Sequence, residues 1–108
     1  MKLPSKIRFV DEKLKESFEK LEKEEPTTFK ILNQAFKNIE EDAFSGIQIP
    51  KRLIPREYIK KYGTGNLWKY DLPKSWRLIY TIRRDEIVVV SIIIEWFDHK
   101  NYERKFGY

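Results

Sequence analysis

The run IVVVSIIIEWF, residues 87–97, is apolar at both parities and too short to cross a bilayer, being interrupted by Ser91 and Glu95. A stretch of that kind reads as a central strand covered on both faces. Two alternating segments precede it. In LWKYDL, residues Trp68, Tyr70 and Leu72 fall on one side and Lys69 and Asp71 on the other. In WRLIYTIRR, residues Trp76, Leu78, Tyr80 and Ile82 oppose Arg77, Thr81 and Arg83. Period-two alternation in aromatic and β-branched residues marks half-buried strands. With turns at Pro73-Lys74-Ser75 and at Asp85-Glu86, the three strands form an antiparallel meander. The rest of the chain has to cover it.

Matching the apolar faces fixes the register of the first hairpin. A three-residue turn sets Leu72 against Trp76, aligns Trp68, Tyr70 and Leu72 with Leu78, Tyr80 and Ile82, and puts Asp71 opposite Arg77 with Lys69 one diagonal away. A two-residue turn would mix the two sets. An arginine within such a strand has two readings. Asp71 neutralises it, in a pair worth under about 1 kcal/mol, or a rigid strand holds it to grip a phosphate.

Upstream, Lys6–Val10 alternates as an edge strand. Asp11 is a suitable N-cap for a helix with Val10, Leu14, Phe18 and Leu21 at helical spacing, ending by Glu25 because Pro26 follows. Thr27 or Thr28 caps a second helix with Phe29, Leu32, Ala35, Phe36 and Ile39 on one stripe, ending near Glu41–Asp42. The two form a helical hairpin that suits one face of the sheet. Pro55 suits the first position of a short helix with Tyr58, Ile59 and Tyr62 packing and Gly63 closing it. The segment around it holds Lys51, Arg52, Arg56, Lys60 and Lys61, either a phosphate contact or a solvated connector. Asp98 is a candidate cap for a short terminal helix or tail, with Tyr102 and Phe106 four apart. The expected fold is α+β in a single domain over residues 1–108. An antiparallel sheet of an N-terminal edge strand plus a three-stranded meander packs against the helical hairpin.

The chain has no cysteine and one histidine, which argues for an intracellular compartment and against a structural zinc site. No signal-peptide pattern opens it, so a soluble cytoplasmic protein is expected, with no membrane contact. Net charge is +5, but residues 1–45 carry −1 and residues 46–108 carry +6. A basic half points to an anionic partner. No glycine-rich phosphate loop, catalytic carboxylate pair or Ser-His-Asp arrangement is recognisable. His99 has the one side chain whose ordinary pKa lies near neutrality. Following Glu95-Trp96-Phe97, it is either exposed and idle or, beside Arg77 and Tyr102, an acid or base for phosphoryl transfer.

The stretch NLWKYDLPKSWRLIYTIRRDEIVVVSIII, followed by FDHKNY, resembles the core of the RelE/ParE superfamily of toxins from toxin–antitoxin systems. The hairpin around WRLIY, the apolar strand after it and the tail with His99 and Tyr102 carry the likeness, and the order of elements extends it over nearly the whole chain. The resemblance implies a toxin neutralised by a cognate antitoxin, in a hetero-oligomer. Its RelE branch cleaves mRNA in the ribosomal A site, without metal or cofactor; its ParE branch acts on DNA gyrase. A catalytically inactive binding module is a third reading. In the RelE branch a strand arginine meets the scissile phosphate, matched here by Arg77, and a lysine of the preceding strand corresponds to Lys69. A second family lysine position is Asp71 in this chain. The terminal catalytic position maps to His99 and Tyr102. Lys51, Arg52, Arg56, Lys60, Lys61, Lys74, Arg83, Lys100 and Arg104 are the expected RNA contacts.

Overall fold

The meander is the middle of a five-stranded sheet. In the computed structural model, which describes residues 2–84 and 89–106, the strands are β1 (Lys6–Phe9), β2 (Ile47–Gln48), β3 (Trp68–Asp71), β4 (Arg77–Arg84) and β5 (Val89–Phe97). Their spatial order is β1-β5-β4-β3-β2. The β3–β4 register is the expected one: Trp68 opposes Tyr80, Tyr70 opposes Leu78, Asp71 opposes Arg77, and Leu72 N–H donates to Trp76 O at 2.8 Å. The turn expected at Asp85-Glu86 lies outside the described residues.

Two features correct the expected sheet. It is mixed, because β1 runs parallel to β5, with Ile7 beside Ser91 and Phe9 beside Ile93. Alternation alone carries no strand direction. Residues 10–88 separate this pair in the chain, so a tight turn does not dictate its orientation. A short edge strand, β2, absent from the expected sheet, also pairs antiparallel to β3.

The helical hairpin, α1 (Glu12–Glu24) and α2 (Pro26–Glu41), covers one face. Asp11 caps α1 as expected, its Oδ1 accepting from Leu14 N–H at 2.8 Å. The cap of α2 is a correction. Glu25, not Thr27 or Thr28, occupies that position, and Pro26 opens the helix, where its missing N–H costs nothing. Leu32, Phe36 and Ile39 meet Leu72, Leu78, Tyr80 and Ile93 in the first core, and Phe18 packs edge-on against Phe36 at 5.0 Å. Ser91, buried in β5, hydrogen-bonds Ser5 Oγ at 2.9 Å, which satisfies the polar interruption of the apolar run.

Two short helices, α3 (Arg56–Tyr62) and α4 (His99–Phe106), cover the other face. Tyr58, Tyr102 and Phe106 join Ile49, Leu67, Ile79 and Ile94 in a second core. Pro55 precedes α3 as its cap residue rather than opening it, and Ile59 is exposed rather than packed. Gly63 ends α3 in the left-handed region, φ 59°, as expected of a C-terminal glycine. Asp98 starts α4, its Oδ1 accepting from Asn101 N–H at 2.9 Å. Gly46 sits where the chain enters β2; a Cβ there would meet Lys69 O at 2.5 Å and Tyr80 Oη at 2.6 Å, so this close approach admits no side chain.

Candidate functional site

Residues from three elements meet at one corner of the α3/α4 face. Alternation along β3 and β4 turns Lys69, Asp71 and Arg77 to that face, and α4 brings Tyr102 onto it. Arg77 Nε lies 2.9 Å from Asp71 Oδ1, and Lys69 Nζ lies 3.7 Å from the same oxygen. The Tyr102 ring forms the floor: Lys69 Nζ stands 5.4 Å and Arg77 Cζ 5.6 Å from its centroid. The face of a phenol ring is negative, so both cations are held over it. The side chains of Arg77 and Lys69 are 15% and 21% exposed, whereas that of Asp71 is 49% exposed. Among these three groups two cations share one carboxylate.

The phenol of Tyr102 is itself buried, 2% exposed, with its ring stacked on Phe106 at 4.7 Å and on Phe97 at 5.9 Å. Its position supports the cations from beneath. Covered in this way, the Tyr102 ring leaves no open face for a base to stack on. His99 is the first residue of α4; its side chain lies outside what the structure describes.

The remaining expected contacts sort into three groups. Lys51, Arg52, Arg56, Lys60, Lys61, Lys100 and Arg104 are exposed, on α3, on α4 and on the turn at Lys51–Leu53, all packed on the face that holds Arg77. Lys74 stands apart in the β3–β4 turn. Arg83 is exposed but reaches the end of α3, where its Nη2 donates to Tyr62 O at 2.8 Å and to Gly63 O at 3.5 Å. A guanidinium on the last carbonyls of a helix fastens that helix.

Sequence reasoning missed a second polar cluster beside the first. Ile79 pairs with Glu95 and Tyr80 with Ile93, so Ile94 is an extra residue in β5. This bulge turns Ile94, Glu95 and Phe97 to the α3/α4 face. There Glu95 accepts from Tyr58 Oη and, at 3.1 Å, from Lys105 Nζ. Burial, then the bond to Glu95, raises the Tyr58 pKa above its usual value, so the phenol keeps its proton. The signal in the sequence was Glu95 itself, a charge inside an apolar strand that needs partners.

Among the described residues no group of three or more His, Cys, Asp or Glu is placed to hold a metal ion, and no helix is long and apolar enough to cross a membrane. No family model, curated protein or solved structure matches the chain.

Proposed function

We propose that this chain is a toxin of the RelE kind, an endoribonuclease that cuts mRNA in the ribosomal A site and is neutralised by a cognate antitoxin. One observation carries the reading: Lys69 and Arg77, the two cations that the hairpin resemblance singles out, are held together on the floor made by Tyr102. Two paired strands preorganise them, so little reorganisation is needed as charge develops. The surrounding exposed basic residues supply the sequence-independent attraction that a phosphate backbone requires.

In the reaction, the 2′-OH of one nucleotide attacks the adjacent phosphorus in line. The bond from phosphorus to the 5′ oxygen breaks, giving a 2′,3′-cyclic phosphate and a 5′-OH. Arg77 and Lys69 stabilise the charge that gathers on the equatorial oxygens. His99 is the residue assigned the proton, given to the departing 5′ oxygen or taken from the 2′-OH. Because the nucleophile belongs to the substrate, positioning and electrostatics carry most of the rate, and a sparse site suffices.

The Asp71–Arg77 pair, in which a carboxylate already lies on the guanidinium, favours a second reading, a catalytically inactive binding module; a non-nuclease poison of the ParE kind is the third. Single-turnover cleavage of a ribosome-bound message decides between them. Arg77→Ala is expected to lose roughly a hundredfold in rate, about 3 kcal/mol of transition-state stabilisation. His99→Gln is expected to lose about 10²-fold or more. Melting temperatures serve as the folding control. Intact messages together with altered DNA supercoiling in cells expressing the chain would replace the nuclease by the gyrase poison. Parental cleavage by both variants would put the site elsewhere.

A further inference from the structure

On the face opposite Arg77, the β3–β4 turn and the start of α2 enclose a cleft of about 380 Å³, within the range of ligand sites. Its walls are apolar: Trp76, Trp96, Leu72 and Ile31. Its polar groups are Glu25, Thr27, Thr28 and Lys74. Trp76 is 38% exposed, one of the few large apolar side chains on the described surface left in that condition. The turn that presents it is strained. Lys74 and Ser75 both lie in the left-handed region, at φ 62° and 63°, which residues with a Cβ disfavour.

Flat apolar walls with a few hydrogen-bonding groups are what a nucleobase needs: ring faces to stack on, and donors and acceptors for its edge. Lys74 offers a cation for the phosphate that accompanies the base. Trp76 also stands beside Arg77 in the chain. Their Cα atoms are about 3.8 Å apart, and successive strand residues project to opposite faces. A strand of RNA gripped at Arg77 would reach the cleft by crossing the end of the sheet at this turn. We infer that this cleft is a base-stacking subsite, in which Trp76 takes an unpaired base one or two nucleotides from the phosphate held by Arg77. The inference rests on the nuclease reading for its choice of ligand. An apolar side chain of a protein partner is the competing occupant. The polar groups gathered beside the indoles, and the adjoining phosphate-gripping arginine, favour the base.

The test uses the whole chain and a ribosome-bound message blocked from cleavage by a 2′-O-methyl ribose. 2-Aminopurine is placed in turn at each nucleotide around the scissile position. One position is expected to be quenched by the parent and by Trp76→Phe, which keeps a stacking ring, but not by Trp76→Ala. Affinity for that message should fall about tenfold in Trp76→Ala, and an abasic nucleotide at the same position should make parent and variant equal. Unchanged melting of Trp76→Ala shows that the fold is intact. Equal quenching by parent and Trp76→Ala overturns the subsite. Unaltered message binding with weakened neutralisation by an acidic protein partner overturns it in favour of protein docking. Failure of the nuclease reading is seen separately: quenching at one position without cleavage of an unblocked message leaves the subsite standing and removes the chemistry.

Discussion

Asp71 is the residue on which the two functional readings turn. It lies on a half-exposed strand end, so its pair with Arg77 contributes under about 1 kcal/mol to folding. Its larger effect is on charge, because the same oxygen also lies within 4 Å of Lys69. Asp71→Asn keeps the shape and removes the anion. One negative charge is then removed from beside Arg77 and Lys69, which favours one further phosphate contact. The logarithm of the affinity for single-stranded RNA is expected to fall more steeply with the logarithm of salt concentration, by about 0.7. Titrations over a range of salt read that slope, and an unchanged slope would show that Asp71 does not mask the cations. Stability should be nearly unaltered. The pairing of Asp71 with Arg77 was legible in the sequence because each strand has one apolar face, and a slip of one residue would have exposed Trp68, Tyr70 and Leu72. The depth of Tyr102 was not legible. Spacing showed that Tyr102 and Phe106 share a helix face, but which sheet residues that face meets depends on how α4 docks.

At the scale of elements, the same division holds. Helices α1 and α2 followed from their stripes, since each pattern reports the local partner surface. The direction of β1 and the bulge at Ile94 did not, because neither leaves a mark in alternation. The short helix α3 is the element most dependent on a long-range fastening. Its cap residue Pro55 makes no side-chain bond, and its last carbonyls are held by Arg83 from β4. Arg83→Ala should therefore destabilise by about 1 kcal/mol and lower the melting temperature by roughly 4 °C or more. Faster amide exchange should be concentrated in residues 56–63. RNA affinity should change less than for Lys60→Ala. A large loss of affinity with unchanged exchange would return Arg83 to the RNA contacts.

For the molecule as a whole, two cores meet across one sheet, and each holds a buried tyrosine hydroxyl. Tyr80 Oη donates to Ala43 O at 2.7 Å and accepts from Gly46 N–H at 3.1 Å, tying the chain after α2 to β4. Burial pushes its pKa from 10.0 up to about 12. Tyr58, bonded to Glu95 in the second core, is raised as well, again chiefly by burial. A raised acid pKa means that the folded state holds its proton more tightly than the unfolded chain does. The stabilisation is complete below pH 10, where both states are protonated. Above that pH the unfolded chain ionises first and gains, so stability drains away as pH climbs toward 12. For Tyr80 the full loss is on the order of 2–3 kcal/mol. Urea midpoints measured from pH 8 to pH 11 should hold level and then fall. In Tyr80→Phe the starting midpoint should be lower, because Ala43 O loses its donor, but the alkaline fall should be shallower. Parallel curves for parent and variant would mean that Tyr80 ionises alike in both states, and that its bonds to Ala43 and Gly46 do not join the two halves of the fold.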